Sequence, residues 1–164
     1  MMNCPNCGAP LKLKGRMDSF ACDYCRSVYF PEENEDGVRL LAENSSLLCP
    51  VCAVPLMHAS IEHHRIRYCT RCRGTLIQMA AFLVLMDDLR NRHGGFAAIV
   101  PPPETSELKR RLRCPHCGRT MDTHYYAGSG NVVMDTCSPC ELNWFDAGEL
   151  LKIVRSTDHV PLEG

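Results

Sequence analysis

Twelve cysteines carry the chemistry of this 164-residue chain. They stand as Cys4, Cys7, Cys22 and Cys25, then Cys49, Cys52, Cys69 and Cys72, then Cys114, Cys117, Cys137 and Cys140. Each quartet is two C-x-x-C pairs, with 14, 16 and 19 residues between the pairs. Two residues between cysteines allow a tight turn whose backbone N–H groups point at sulfur. Two such turns place four thiolates at the corners of a tetrahedron about 2.3 Å from one ion. The expected cofactors are therefore three Zn²⁺, one per quartet. Gly8 and Gly118 directly follow the second cysteine of their turns and suit a positive φ there, whereas Ala53 departs from that pattern.

Iron in a rubredoxin-like site takes the same four ligands, so the ligand set alone leaves iron open. Disulfides would need an oxidising compartment, and the amino terminus has neither a charged n-region nor an apolar h-region, so a reducing cytoplasm is expected. Thiol–disulfide exchange would use one C-x-x-C at the end of a strand in a βαβ unit, a pattern not found here. Four thiolates close the coordination shell and leave no position for water or substrate. The ions are thus expected to be structural, the chain not to be an enzyme, and no small-molecule substrate is implied. Of the seven histidines, His63 and His64 fall near a hairpin tip and His116 lies between two metal ligands, with no acid/base partner arranged around them.

Units of about 30–45 residues bury too little apolar surface to fold without a staple, which the metal supplies. Each inner gap alternates apolar and polar residues: Leu11 and Leu13 then Phe20; Met57, Ala59 and Ile61 then Ile66 and Tyr68; Met121, Thr123 and Tyr125, a turn at 128–131, then Val132 and Met134. That alternation predicts short β-hairpins. The expected fold is small, metal-stapled and mostly β, with three Cys4 zinc ribbons and short α-helices after the second and third. Asp146 caps the last helix, over 147–155, with Glu149 reaching back to the cap's N–H. The other helix is expected over 77–92, stopping at the glycines 94 and 95. The domain plan is zinc ribbon 1 over 1–30, an acidic linker over 31–48 with a short helix starting at Leu40 and Leu41, and zinc ribbon 2 with its apolar helix over 49–93. A proline-rich then basic linker follows over 94–113, then zinc ribbon 3 with its capped helix over 114–156, and a tail over 157–164. The longest apolar run, within 76–86, is well short of the ~20 residues that cross a bilayer, so no membrane association is expected.

The third quartet, in Cys114-Pro-His-Cys-Gly-Arg-Thr-Met121 and Cys137-Ser-Pro-Cys-Glu-Leu-Asn-Trp-Phe-Asp-Ala-Gly-Glu-Leu150, resembles the bacterial transcription factor IIB-type zinc-ribbon family. That family's pattern is two C-P-x-C-like turns, a tryptophan, an aspartate-x-glycine-glutamate cap and a short helix. The second quartet resembles it more distantly. Leu76 stands where Trp144 does, Gln78 where Asp146 does and Ala81 where Glu149 does, while Gly74 is kept. The first quartet resembles zinc ribbons only in general. The resemblance implies a link to transcription, but a shared fold leaves the job open.

Phe82, Leu85 and Met86 lie in a helical stretch that is apolar around nearly its whole circumference, so they are candidates for a partner-binding surface, packing within the chain being the other use of that face. Arg65 and Arg67, with Arg110, Arg111 and Arg113, are the candidates for nucleic-acid contact. Charge weighs against that use. Twelve negative charges from thiolates and six positive from three Zn²⁺ move the chain's net charge from −1 to about −7, a poor balance for binding phosphate backbones. The leading expectation is an adaptor or accessory subunit docking on a protein partner or larger complex. A nucleic-acid-binding, transcription-associated factor is the alternative, and a redox or zinc-handling protein is a third. Trp144 is expected to plug the core beneath the third ribbon.

Overall fold

The structure, a computed structural model, describes residues 2–15, 18–93, 102, 105–126 and 131–155. The glycine stop at 94 and 95, most of the proline spacer, most of the turn at 128–131 and the tail over 157–164 lie outside the described residues.

Each quartet organises three strands rather than the expected two. In the first module β1 (Leu11–Leu13), β2 (Phe20–Cys22) and β3 (Val28–Tyr29) form an antiparallel sheet in that order. In the second, β4 (Arg39–Leu48) precedes β5 (Pro55–Ile61), β6 (His64–Tyr68) and β7 (Thr75–Gln78). The third has β8 (Asp122–Tyr125), β9 (Val133–Cys137) and β10 (Leu142–Phe145). The third strand forms because the second metal turn reverses the chain and sends it back along the hairpin, as where Leu142 pairs with Cys137. Helix α1 (Met79–His93) follows β7, and α2 (Glu149–Arg155) follows β10. No helix among the described residues is long and apolar enough to cross a membrane.

The second and third modules share one seven-stranded sheet, in the order β4-β5-β6-β7-β10-β9-β8. At its centre Leu76 faces Trp144, with Ile77 opposite Asn143 and Thr75 opposite Phe145. Leu76 and Trp144 occupy corresponding positions after their second metal turns, so the two ribbons meet about a pseudo-two-fold axis. The backbone N–H of Met79 at the start of α1 donates to the Glu141 carbonyl across the same junction (2.9 Å). One face of the sheet buries Ala59, Ile66, Ile77, Met134 and Phe145 beneath both helices. The opposite face buries Leu56, Leu76, Met121 and Trp144 among the metal turns.

The segment 31–48 is not the expected linker. It contains β4, which pairs antiparallel with β5 through two register shifts. Leu41 is fully buried against Cys4, Leu11, Phe20 and Cys22 of the first module, while Leu40 packs on the helix-side core. One strand thus serves two cores, and its bulges break the alternation that would betray a strand. The acidic residues nearby are tied down: Asp36 accepts from Tyr68 Oη (2.6 Å) and pairs with Arg73, and Glu33 pairs with Arg39 and Arg92.

The apolar helix is also redrawn. Leu76 and Ile77 belong to β7, where they are buried on opposite faces of the sheet between β6 and β10. What remains has one buried stripe, Phe82, Leu85, Met86 and Leu89, with the i, i+3, i+4, i+7 spacing of a helix packed on a single core. Phe82 stacks on Phe145, ring centroids 5.1 Å apart, and meets Tyr126 edge-on. The candidate docking residues Phe82, Leu85 and Met86 therefore sit inside the chain's own core. Leu83 and Val84 are the large apolar residues that α1 exposes.

Candidate metal centres and the groove beside them

The sulfurs of each quartet lie within 4.8 Å of one another. A Zn–S bond of about 2.3 Å sets a tetrahedral edge of about 3.8 Å. Cys4 to Cys25 is 3.6 Å, Cys7 to Cys22 3.5 Å, Cys49 to Cys72 3.6 Å and Cys117 to Cys137 3.7 Å. All twelve cysteines are free thiols, so none is spent on a disulfide. Burial, and then the neighbouring Cys69, push Cys49 up to about 11, so four clustered thiolates need a divalent cation among them. The three clusters fit three zinc ions.

The turns that hold the sulfurs repeat one backbone device. In five of the six, the residue after the second cysteine donates its N–H to the carbonyl of the first, at 2.8–2.9 Å. In all six that residue has positive φ: Gly8, Arg26, Ala53, Arg73, Gly118 and Glu141, from 54° to 76°. Ala53, at 57°, keeps the geometry that its side chain disfavours. Cys49 Sγ accepts from the N–H groups of Val51 (3.4 Å) and Cys52 (3.3 Å), and Ser27 Oγ lies 3.2 and 2.9 Å from the sulfurs of Cys4 and Cys25. The Ser27 hydroxyl holds the Cys25 thiol down at about 5, favouring the thiolate a metal requires.

Residues 113–156 match the family model described as a transcription factor zinc-finger, the TFIIB-type zinc ribbon. The third module carries the family's cap as expected: Glu149 accepts from the Asp146 N–H at 2.6 Å. The Asp146 carboxylate itself is taken by Arg110 (2.6 Å) and Trp144 Nε1 (3.2 Å). No curated protein and no solved structure matches the chain significantly.

The candidate arginines divide. Arg110 is committed to Asp135 (3.2 Å) and Asp146, and Arg111 donates to the carbonyls of Leu108 and Arg110. Arg113 is exposed beside the Arg113–Thr120 bridge. Arg65 and Arg67, two apart on β6, lie on the sheet face away from the helices and border a groove of about 390 Å³ whose walls include Leu47, Leu76, Gln78, His116 and Leu142. Arg65 also donates to the Gly15 carbonyl of the first module (2.9 Å). Trp144 is fully buried among Met121, Cys114 and Cys137 of the third ribbon, as expected, and the same cluster takes in Leu56 and Leu76 of the second, so it also seals the junction of the two.

Two features escape a reading of motifs. Gly74 follows its metal turn where the third ribbon has Leu142, and the reason for the glycine, contact with Trp144, spans 70 positions. The first module is docked by Asp18, which is buried, accepts from Ser60 Oγ (3.1 Å), lies 2.9 Å from His63 Nδ1 and pairs with Arg39. Nothing in the spacing of these residues marks them as partners.

Proposed function

We propose that the chain is a non-enzymatic structural-zinc protein that acts as an adaptor or accessory subunit, docking on a protein partner in a reducing compartment such as the cytoplasm. The observation that carries this reading is that every cysteine is committed to a closed four-sulfur centre and two of the three ribbons are fused through one sheet. Such a molecule offers shaped surface in place of a reacting atom. Apolar side chains stand outward at separate places: Leu83 and Val84 on α1, and Tyr24, Val28 and Phe30 on the first module. The nucleic-acid alternative is less well supported. Arg110 is already neutralised, no Phe, Tyr or Trp among the described residues lines the groove, whose ring is that of His116, and the zinc-loaded charge is near −7.

The test is affinity purification of the tagged, zinc-loaded chain from its native cells, alongside Leu83→Glu and Val84→Glu variants. The reading expects a stoichiometric protein partner that the variants lose while keeping their zinc. Steeply salt-dependent binding of DNA or RNA with no stoichiometric protein partner would replace it with the nucleic-acid alternative.

A further inference from the structure

Arg67 is a half-buried guanidinium without a counter-ion. Its Nε is buried with no hydrogen-bond partner, its terminal nitrogen makes one long bond to the Ile66 carbonyl (3.3 Å), and no carboxylate pairs with it among the described residues. Burial first, and then the like charge of Arg65, hold it below its ordinary value. His58, opposite Arg67 in the β5–β6 ladder, is likewise held down by burial and then by Arg67, with Glu43 acting on it in the opposite direction. Buried charges are normally paired, so a positive corner of this kind is an unfinished interaction.

The pseudo-two-fold shows what finishes it. Aligned on their metal turns, Arg67 corresponds to Asp135, His58 to Thr123, and Ser45 to Arg110. In the third module the buried Asp135 is bonded by Thr123 Oγ1 (2.5 Å) and neutralised by Arg110, which arrives from the segment before the first metal turn. In the second module the charge is reversed in sign and the segment supplies only Ser45, whose hydroxyl is engaged with the backbone of Leu47. Asp135 has its counter-ion in one half of the sheet, whereas Arg67, which borders the groove, has none among the described residues of the other.

We infer that the groove beside Arg65 and Arg67 binds an acidic, leucine-bearing segment of a partner protein, a carboxylate of which takes up beside Arg67 the place that Arg110 takes beside Asp135. Leu47, Leu76 and Leu142 supply apolar walls, Gln78 can bond the segment's backbone, and Arg67 supplies the complementary charge. A nucleic-acid strand fits less well, since three leucines face the groove and His116 is the ring that could stack a base there. This inference rests on the adaptor reading and names the chemistry of one partner contact.

The test uses the full zinc-loaded chain and a fluorescent octapeptide in which leucine and glutamate alternate, followed by anisotropy. Saturable binding is expected, weakened about tenfold or more by Arg67→Gln, and equally by Ser45→Glu, which supplies the counter-ion from within. In the unaltered protein, the Arg67 and Gln78 amide resonances should shift on titration, a readout that needs no variant. No saturation at millimolar peptide, equal binding of a leucine–glutamine octapeptide, or indifference to both substitutions would overturn the inference. So would tighter, Arg67-dependent binding of a thymidine decamer, which would assign the groove to phosphate. Loss of the groove result with the Leu83-dependent partner intact removes this inference alone. Absence of any protein partner removes the adaptor reading.

Discussion

The indole of Trp144 lies directly against the Cα of Gly74: a Cβ at that glycine would sit 2.1 Å from Cζ2 and 2.5 Å from Cη2. The φ of Gly74 is not positive, so the glycine answers to space and not to backbone conformation. This contact, with the Leu76–Trp144 pair beside it, turns two metal ribbons into one sheet. Gly74→Ala should destabilise the zinc-saturated protein by about 1–3 kcal/mol through overpacking, and Trp144→Leu in the same chain should recover part of it. Chemical denaturation of both variants in excess zinc checks this.

Much of the metal chemistry was legible because ligand spacing is local: six turns, twelve ligands and the Asp146–Glu149 cap each span a few residues. The union of the ribbons was not. β7 and β10 are four residues each and pair across 64 to 70 positions, from Gln78 opposite Leu142 to Thr75 opposite Phe145, with no periodicity to announce them. The same holds for β4, whose two bulges and polar Glu43, Asn44, Ser45 and Ser46 make a strand look like a linker. Ile77, expected in the helix, belongs to β7, and the helix itself buries one stripe while leaving Leu83 and Val84 outward.

The single stripe on α1 separates two neighbouring leucines. Leu85 is fully buried and Leu83 is 66% exposed. Leu85→Ala should cost about 2–5 kcal/mol from lost burial and a cavity, while Leu83→Ala should stay within about 0.5 kcal/mol. Equal effects in thermal unfolding would mean that the helix is turned differently on the sheet.

Burial, and then the neighbouring Asp146, push Glu149 up to about 8, well above its ordinary 4.5. The folded state therefore holds a proton that the unfolded state releases between those values. Stability contributed by this group is complete below about 4.5 and lost as pH rises toward about 8. Glu149→Gln keeps an acceptor for the Asp146 N–H and removes the titration. Its stability relative to the unaltered protein should rise by on the order of 1–3 kcal/mol from pH 5 to pH 8, measured at saturating zinc so that the metal sites cancel.

Ala53 holds φ 57° where the matching turns of the other two ribbons have glycine. Removing its Cβ relieves the left-handed strain and loosens the unfolded chain, two effects of opposite sign. With the strain at roughly 1–2 kcal/mol and the entropy at about half of that, Ala53→Gly should raise stability by about 0.5–1 kcal/mol. Urea midpoints of the two zinc-loaded proteins provide the comparison.

Metal analysis combined with chelation addresses the central claim most directly. Three zinc ions per chain are expected in freshly isolated protein, with loss of the β-sheet circular dichroism as a strong chelator removes them. Fewer than three ions in a chain that keeps its compact sheet, or an unchanged spectrum after complete chelation, would contradict the account.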